Sequence, residues 1–271
     1  MGVPILHVDA FAATPFTGNP AAVCVLGDEE PDDRWMQAVA AEMQLSETAF
    51  LRPVDDGWSL RWFSPRTEVD VCGHATLAAA HVLWEQRSLP PDAVARFRTR
   101  AGLVTAHLAD RRTGGRIEMD FPADPAEPAD PPSGLTRALG VPIRATARSA
   151  RDWLVEVDDQ ETVQALTPDL ALLEQVDGRG VIVTARAAMA SFDFVSRFFA
   201  PRIGIPEDPV TGSAHCALGP WWAPRLGRSD LVGFQASERG GAVTVRVAGD
   251  RVHLGGRAVT VVRGELLDVR S

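Results

Sequence analysis

One motif occurs twice in the chain. Arg61-Trp62-Phe63-Ser64-Pro65-Arg66 is followed by a short acidic run and then by Cys72-Gly73-His74-Ala75-Thr76-Leu77-Ala78. Arg197-Phe198-Phe199-Ala200-Pro201-Arg202 is followed by an acidic run and then by Thr211-Gly212-Ser213-Ala214-His215-Cys216-Ala217. The copies are separated by about half of the 271 residues. Self-similarity at a fixed offset marks a repeated structural unit, so the sequence predicts two similar lobes. In each copy an aromatic, strand-like segment ends at a proline, and a glycine then opens an alanine-rich run.

Ala75 to Trp84 is apolar on nearly every side, the pattern of a buried helix. Gly73 then stands at a helix N-terminus, where unpaired N–H groups and the helix dipole favour an anion. Gly212 and Ser213 repeat the arrangement, with Ser213 as a candidate N-cap; Gly219-Pro220 is expected to cut this second helix short. If the lobes face one another about a pseudo-twofold axis, both helix N-termini point into one cleft suited to a small carboxylate. Either glycine alone could be only a tight turn. Strands outnumber helices, so the expected fold is α+β: two pseudo-symmetric lobes, each a curved, mostly antiparallel sheet around a central helix. Five prolines between Pro122 and Gly134 read as an exposed linker. The lobes are accordingly residues 1–121, to which the last strand could return, and 135–271.

Composition removes several chemistries. All 27 basic residues are arginine, and tyrosine is absent. A Schiff-base lysine, a phosphate-loop lysine and a catalytic tyrosine are therefore excluded. No G-x-G-x-x-G fingerprint occurs. Net charge −9 and a pI near 5.2 argue against nucleic acid as a partner. No apolar run is long enough for a membrane span, and the first residues lack the features of a secretory signal. Cys24, Cys72 and Cys216 are odd in number and form no C-x-x-C, which fits a reducing, cytoplasmic setting. Cys72-x-His74 and His215-Cys216 match no standard zinc spacing, so no metal is expected.

The remaining chemistry rests on acids, His, Cys, Ser, Thr and backbone. Glu47 lies in Leu45-Ser46-Glu47-Thr48-Ala49-Phe50-Leu51, among apolar residues. It is either on the solvent face, the ordinary place for a carboxylate, or held in a dry pocket, where it becomes a usable general acid/base. His74 follows the anion-binding glycine. Asp208, in Glu207-Asp208-Pro209-Val210-Thr211-Gly212, is a turn former or a site residue. His7, His81, His107 and His253 read as structural. Ser213 lacks the nucleophile elbow, and hydrogen bonding is its expected role.

The blocks Phe16-Thr17-Gly18-Asn19-Pro20-Ala21-Ala22-Val23, Ser46-Glu47-Thr48-Ala49-Phe50, Arg61-Trp62-Phe63-Ser64-Pro65, Cys72-Gly73-His74-Ala75-Thr76-Leu77-Ala78 and Glu207-Asp208-Pro209-Val210-Thr211-Gly212-Ser213-Ala214-His215 closely resemble the phenazine-biosynthesis PhzF-like family. The resemblance implies the diaminopimelate epimerase-like fold, a homodimer and a cofactor-free isomerase of the trans-2,3-dihydro-3-hydroxyanthranilate type. It implies catalytic roles for Glu47, His74 and Asp208, with Asn19, Cys72, Gly73, Thr211, Gly212 and Ser213 at the substrate. Epimerases of this fold set two cysteines on opposite sides of the substrate carbon; Cys72 matches the first and Thr211 stands at the second, so a two-thiol racemase is not expected. The alternatives are an amino-acid epimerase using Glu47 and Cys72, and a non-catalytic small-molecule-binding protein.

Overall fold

The alanine-rich run after Cys72 is a helix, Gly73–Glu85, in the computed structural model, which describes residues 2–28, 31–110 and 115–267. Ala75, Leu77, Ala78, Ala79, Ala80 and Val82 have no solvent exposure. The helix packs against strands Val3–Ala10, Asn19–Val25, Glu47–Val54 and Ala258–Leu266. Small side chains let those strands approach it closely, which is why alanine rather than leucine fills most of the run.

The chain divides into two units: residues up to Asp120 together with those from Gly255 on, and Phe121–Leu254. In the first unit, Val3–Ala10 pairs antiparallel with Asn19–Val25 on one side and with Ala258–Leu266 on the other. Asn19–Val25 then runs parallel to Glu47–Val54. A parallel neighbour needs a crossover, and helix Asp33–Met43 supplies it; the spacing of Trp35, Val39 and Met43 predicts a helix from Pro31 to about Gln44, one or two residues wider at each end. Its N-cap is Asp32, whose carboxylate accepts from the Trp35 N–H at 2.7 Å. Glu47–Val54 continues antiparallel into Gly57–Phe63 across a turn at Asp55 and Asp56, one residue before the Asp56-Gly57 turn that the sequence predicts. The sequence also predicts two strands joined across Thr113-Gly114-Gly115, of which Thr113 and Gly114 lie outside the described residues.

In the second unit, Trp153–Glu156 lies parallel to Val181–Arg186, which is antiparallel to Phe194–Ala200. Phe194–Ala200 runs parallel to Asp230–Gln235, and that strand is antiparallel to Gly241–Ala248. Residues of the proline-rich stretch join this unit: Glu127 and Pro128 pair with Arg148 and Ala147. Among the described residues no helix is long and apolar enough to cross a membrane.

The repeat has a physical basis in both units. Arg61 forks onto Glu68 at 2.8 and 2.9 Å, and its guanidinium lies over the Phe63 ring. Arg197 forks onto Glu207 at 2.7 and 2.8 Å and lies over the Phe199 ring. Arginine, aromatic and acid are thus one bracket, made twice, that ties a strand to the acidic run before the helix.

The second helix corrects an expectation. It spans Gly212–Leu226 and passes through Pro220 and Pro224, where an early end was predicted. Pro220 has no N–H for the Cys216 carbonyl, but the Asp124 N–H donates to that oxygen at 3.1 Å. Gly219 permits close approach, since a Cβ there would press on Val245 and Val247. The bond lost at Pro220 is thus replaced from elsewhere in the unit. The buried helices carry the packing, so Leu77→Ala is expected to lower stability by about 2–5 kcal/mol. Leu103→Ala, at a residue 53% exposed, should cost under about 0.5 kcal/mol, both read by urea denaturation.

Candidate active site

In the first unit, three backbone elements deliver the predicted residues to one place. Glu47 opens its strand and Asn19 opens the parallel neighbour, with Ala21 opposite Glu47 in register. Cys72 is the N-cap residue of the buried helix, and His74 is its second residue. Glu47 is 9% exposed, His74 5% and Asn19 0%. Of the two positions open for Glu47, the solvent face is excluded, since the side chain is buried.

His74 is the hub. Its Nε2 lies 3.1 Å from Glu47 Oε2. Its Nδ1 lies 3.2 Å from the Asn19 amide nitrogen and 3.6 Å from Cys72 Sγ. The Ser46 hydroxyl donates to Asn19 Oδ1 at 3.4 Å, consistent with the amide NH2 facing the imidazole. When His74 is neutral, an NH2 at Nδ1 leaves the ring proton on Nε2, facing Glu47. When it is an imidazolium, Cys72 sulfur is the acceptor in reach of Nδ1. Nε2 faces the carboxylate in both states.

Burial opposes a charge on His74, but the contacts with Cys72 and Glu47 outweigh it and hold its pKa well above the ordinary value. Burial first, and then the Glu47 charge, push the Cys72 thiol up to about 11. At neutral pH that thiol is uncharged, so the electrostatic lift on His74 then rests on Glu47. A raised folded-state pKa makes the His74 contribution to stability fully present below the unfolded value, about 6.5; it is lost as pH rises through the folded one. One ligand atom each from Glu47, Cys72 and His74 falls within 4.8 Å of the others. This is a donor set that a soft divalent ion could use, and it equally makes a hydrogen-bonded acid/base group.

The Gly73 helix starts without a side-chain cap. So does the Gly212 helix, whose N-cap is Thr211; Ser213, the expected cap, is its second residue.

In the second unit, Asp208 is 8% exposed and Thr211 6%, and the Thr211 hydroxyl donates to Asp208 Oδ2 at 2.5 Å. Gln235, fully buried, accepts from the Thr211 N–H at 2.8 Å and donates to the Asp208 carbonyl at 2.7 Å. Ser213 accepts from Arg179, which forks onto Asp152. His215 Nδ1 lies 2.8 Å from the Thr211 carbonyl, and burial pulls its pKa down to about 4, so it is neutral.

Sequence reasoning missed Gln235, Asp152 and Arg179. Gln235 and Asp152 gave no signal, whereas Arg179 did, as the arginine of Gly178-Arg179-Gly180.

This fold, with its acid–imidazole pair at a buried helix start, is that of the epimerase-like α+β proteins. The family model described as phenazine biosynthesis-like protein matches residues 8–264, and the chain belongs to that family. It is 49% identical to an uncharacterized isomerase of Halalkalibacterium halodurans, over 98% of this chain and 99% of that one. The crystal structure of a PhzF-family phenazine biosynthesis protein from Enterococcus faecalis superposes with TM-score 0.92 at 41% identity, covering 98% of this chain and 100% of that one. A predicted epimerase from Pseudomonas aeruginosa superposes at 0.76 with 25% identity, over 98% and 99%.

The Glu47 charge helps to suppress the Cys72 thiolate. Glu47→Gln is therefore expected to speed alkylation of Cys72 by iodoacetamide at pH 9, by about threefold or more, read by mass spectrometry of the Cys72 peptide.

Proposed function

We propose that this chain is an isomerase that moves a proton between carbons of a small carboxylate, with Glu47 as the general acid/base. The observation that carries the reading is a buried carboxylate 3.1 Å from a buried imidazole. Glu47 as carboxylate takes a proton from an activated carbon. The electron pair left behind delocalises into the substrate, and the proton returns from the same carboxyl to another carbon. The His74 Nε2–H donates to the Glu47 carboxylate and stabilises it while it is empty.

Asp208, with its carboxylate oriented by Thr211, is proposed to assist this transfer or to bind the substrate. Asn19, Cys72, Gly73, Thr211, Gly212 and Ser213 are proposed as substrate-binding groups, Asn19 and Cys72 through His74. The helix starting at Gly73 lacks a side-chain cap, which suits an anion such as the substrate carboxylate. This chemistry needs no cofactor. The sequence resemblance, rather than any contact described above, supports a cytoplasmic homodimer of the trans-2,3-dihydro-3-hydroxyanthranilate isomerase type. The names of the relatives support the isomerase class.

An epimerase would use Glu47 and Cys72 as opposed bases. Against it weigh the clustering of both with His74 within 4.8 Å, since opposed bases need substrate between them, and a thiol pushed up to about 11.

The test is deuterium incorporation, followed by NMR in D2O, into a panel of small amino and hydroxy carboxylates that includes trans-2,3-dihydro-3-hydroxyanthranilate. Wild type should exchange at least one compound, and Glu47→Gln should lower its rate about 1000-fold or more while leaving the fold intact. Full exchange by Glu47→Gln would remove Glu47 from the mechanism. Ligand binding by wild type without exchange would favour a binding protein.

A further inference from the structure

We propose that Glu47, Cys72 and His74 form a site for one borderline-soft divalent cation of the Zn2+ class, and that the bound ion switches off proton transfer by occupying the Glu47 carboxylate. The switching rests on the role proposed above for Glu47, whereas the site does not. All three donors belong to the first unit.

Each residue brings one donor: a carboxylate oxygen, a sulfur and an imidazole nitrogen. One ligand atom from each lies within 4.8 Å of the other two. His74 Nε2 is 3.1 Å from Glu47 Oε2 and 3.9 Å from Cys72 Sγ. Around a tetrahedral Zn2+ with ordinary bond lengths, nitrogen and oxygen stand about 3.4 Å apart, and nitrogen and sulfur about 3.6 Å. The two observed edges therefore each need to change by only about 0.3 Å. The sulfur stands almost as close to Nε2 as to Nδ1, which it meets at 3.6 Å. A turn of Cys72 about its Cα–Cβ bond brings it to the Nε2 side and shortens its distance to the carboxylate. Spacing along the chain did not show the site, because Cys72-x-His74 holds two donors and the third comes from the start of a separate strand.

The donor set selects the ion. Thiolate, imidazole and carboxylate together suit Zn2+ or Co2+ rather than Mg2+ or Ca2+, which take oxygen ligands. A dication on two anions and a neutral ring leaves no net charge among them, which a buried site requires. Cys72 is the N-cap residue of the buried helix, where free N–H groups and the helix dipole favour a thiolate. The outer contacts also fit. With Nε2 on the ion, the ring proton sits on Nδ1 and needs an acceptor. Asn19 stands there at 3.2 Å, and a half-turn of its amide presents Oδ1 to the ring and its NH2 to the Ser46 hydroxyl, which now donates to Oδ1. On binding, the thiol proton and the second ring proton of an imidazolium leave to solvent, the ring keeps one proton, and nothing is oxidised or reduced. The Glu47 side chain keeps 11% of its surface exposed, which gives the ion a way in. Three protein ligands leave the fourth position to water.

The probe is Co2+, added to the chain after treatment with EDTA and then displaced by Zn2+. Wild type should show a thiolate-to-cobalt charge-transfer band in the near ultraviolet that saturates at about one ion per chain and disappears on adding Zn2+. Cys72→Ala should lack the band and Cys24→Ala should keep it. Isothermal titration calorimetry with Zn2+ should show binding weakened about tenfold or more in Glu47→Gln and in Asn19→Ala, so the site remains testable if Cys72→Ala does not fold. Saturating Zn2+ should lower deuterium exchange by wild type about 100-fold or more, and EDTA should restore it. No band in wild type, a band that persists in Cys72→Ala, or Zn2+ binding indifferent to Glu47→Gln would overturn the site. Exchange unchanged with Zn2+ bound would overturn the switch. The spectra need no substrate, so failure of the proton-transfer reading is seen separately, as absence of exchange by the metal-free wild type.

Discussion

A carboxylate at the start of a buried strand needs a partner, and much of the first unit serves to supply it. Glu47 is removed from water by its own strand, by the parallel strand beginning at Asn19 and by the helix that starts at Gly73. Left alone it would carry the full cost of a desolvated charge. His74 meets it at 3.1 Å, and Asn19 and Cys72 hold the other side of the ring. Each of the two groups stabilises the other's charged form. Low dielectric strengthens that coupling.

The same economy of contact runs through the helices. A helix buried on every side has no polar face, so the capping and bonding of its backbone must come from loops and neighbours. The Cys216 carbonyl, deprived of its helical donor by Pro220, is met by Asp124 from the proline-rich stretch. The Arg61–Glu68 and Arg197–Glu207 brackets fix the acidic runs that lead into the two helices. A histidine, His74, is the second residue of one helix where a serine, Ser213, is the second residue of the other.

Much of this was legible in the chain. The repeat predicted two units with a buried helix each, because identical bracket residues and alanine runs have a local physical meaning. Glu47 was legible only as a choice between solvent and pocket, since a single carboxylate among apolar residues has the same pattern in both. The Pro220 reading failed because the compensating donor, Asp124, is almost a hundred residues away in sequence. Ser213 was misread as a cap because serine near a helix start fits both the N-cap and the second helical position. Gln235 and Asp152 were invisible for the same reason as Asp124: their roles exist only in the pairing of distant strands and loops. Arg179 left a trace, since an arginine between two glycines implies a backbone held in an unusual path for the sake of one side chain.

The central claim is that Glu47 and His74 act as one proton-holding unit. It is tested most directly by NMR titration of ring-labelled His74 in wild type and in Glu47→Gln. The account predicts that wild-type His74 titrates well above its ordinary value of about 6.5 and is an imidazolium at pH 7. Removal of the Glu47 charge should bring the midpoint down by at least about one unit. A wild-type midpoint at or below the ordinary value, or a midpoint indifferent to Glu47→Gln, would contradict it.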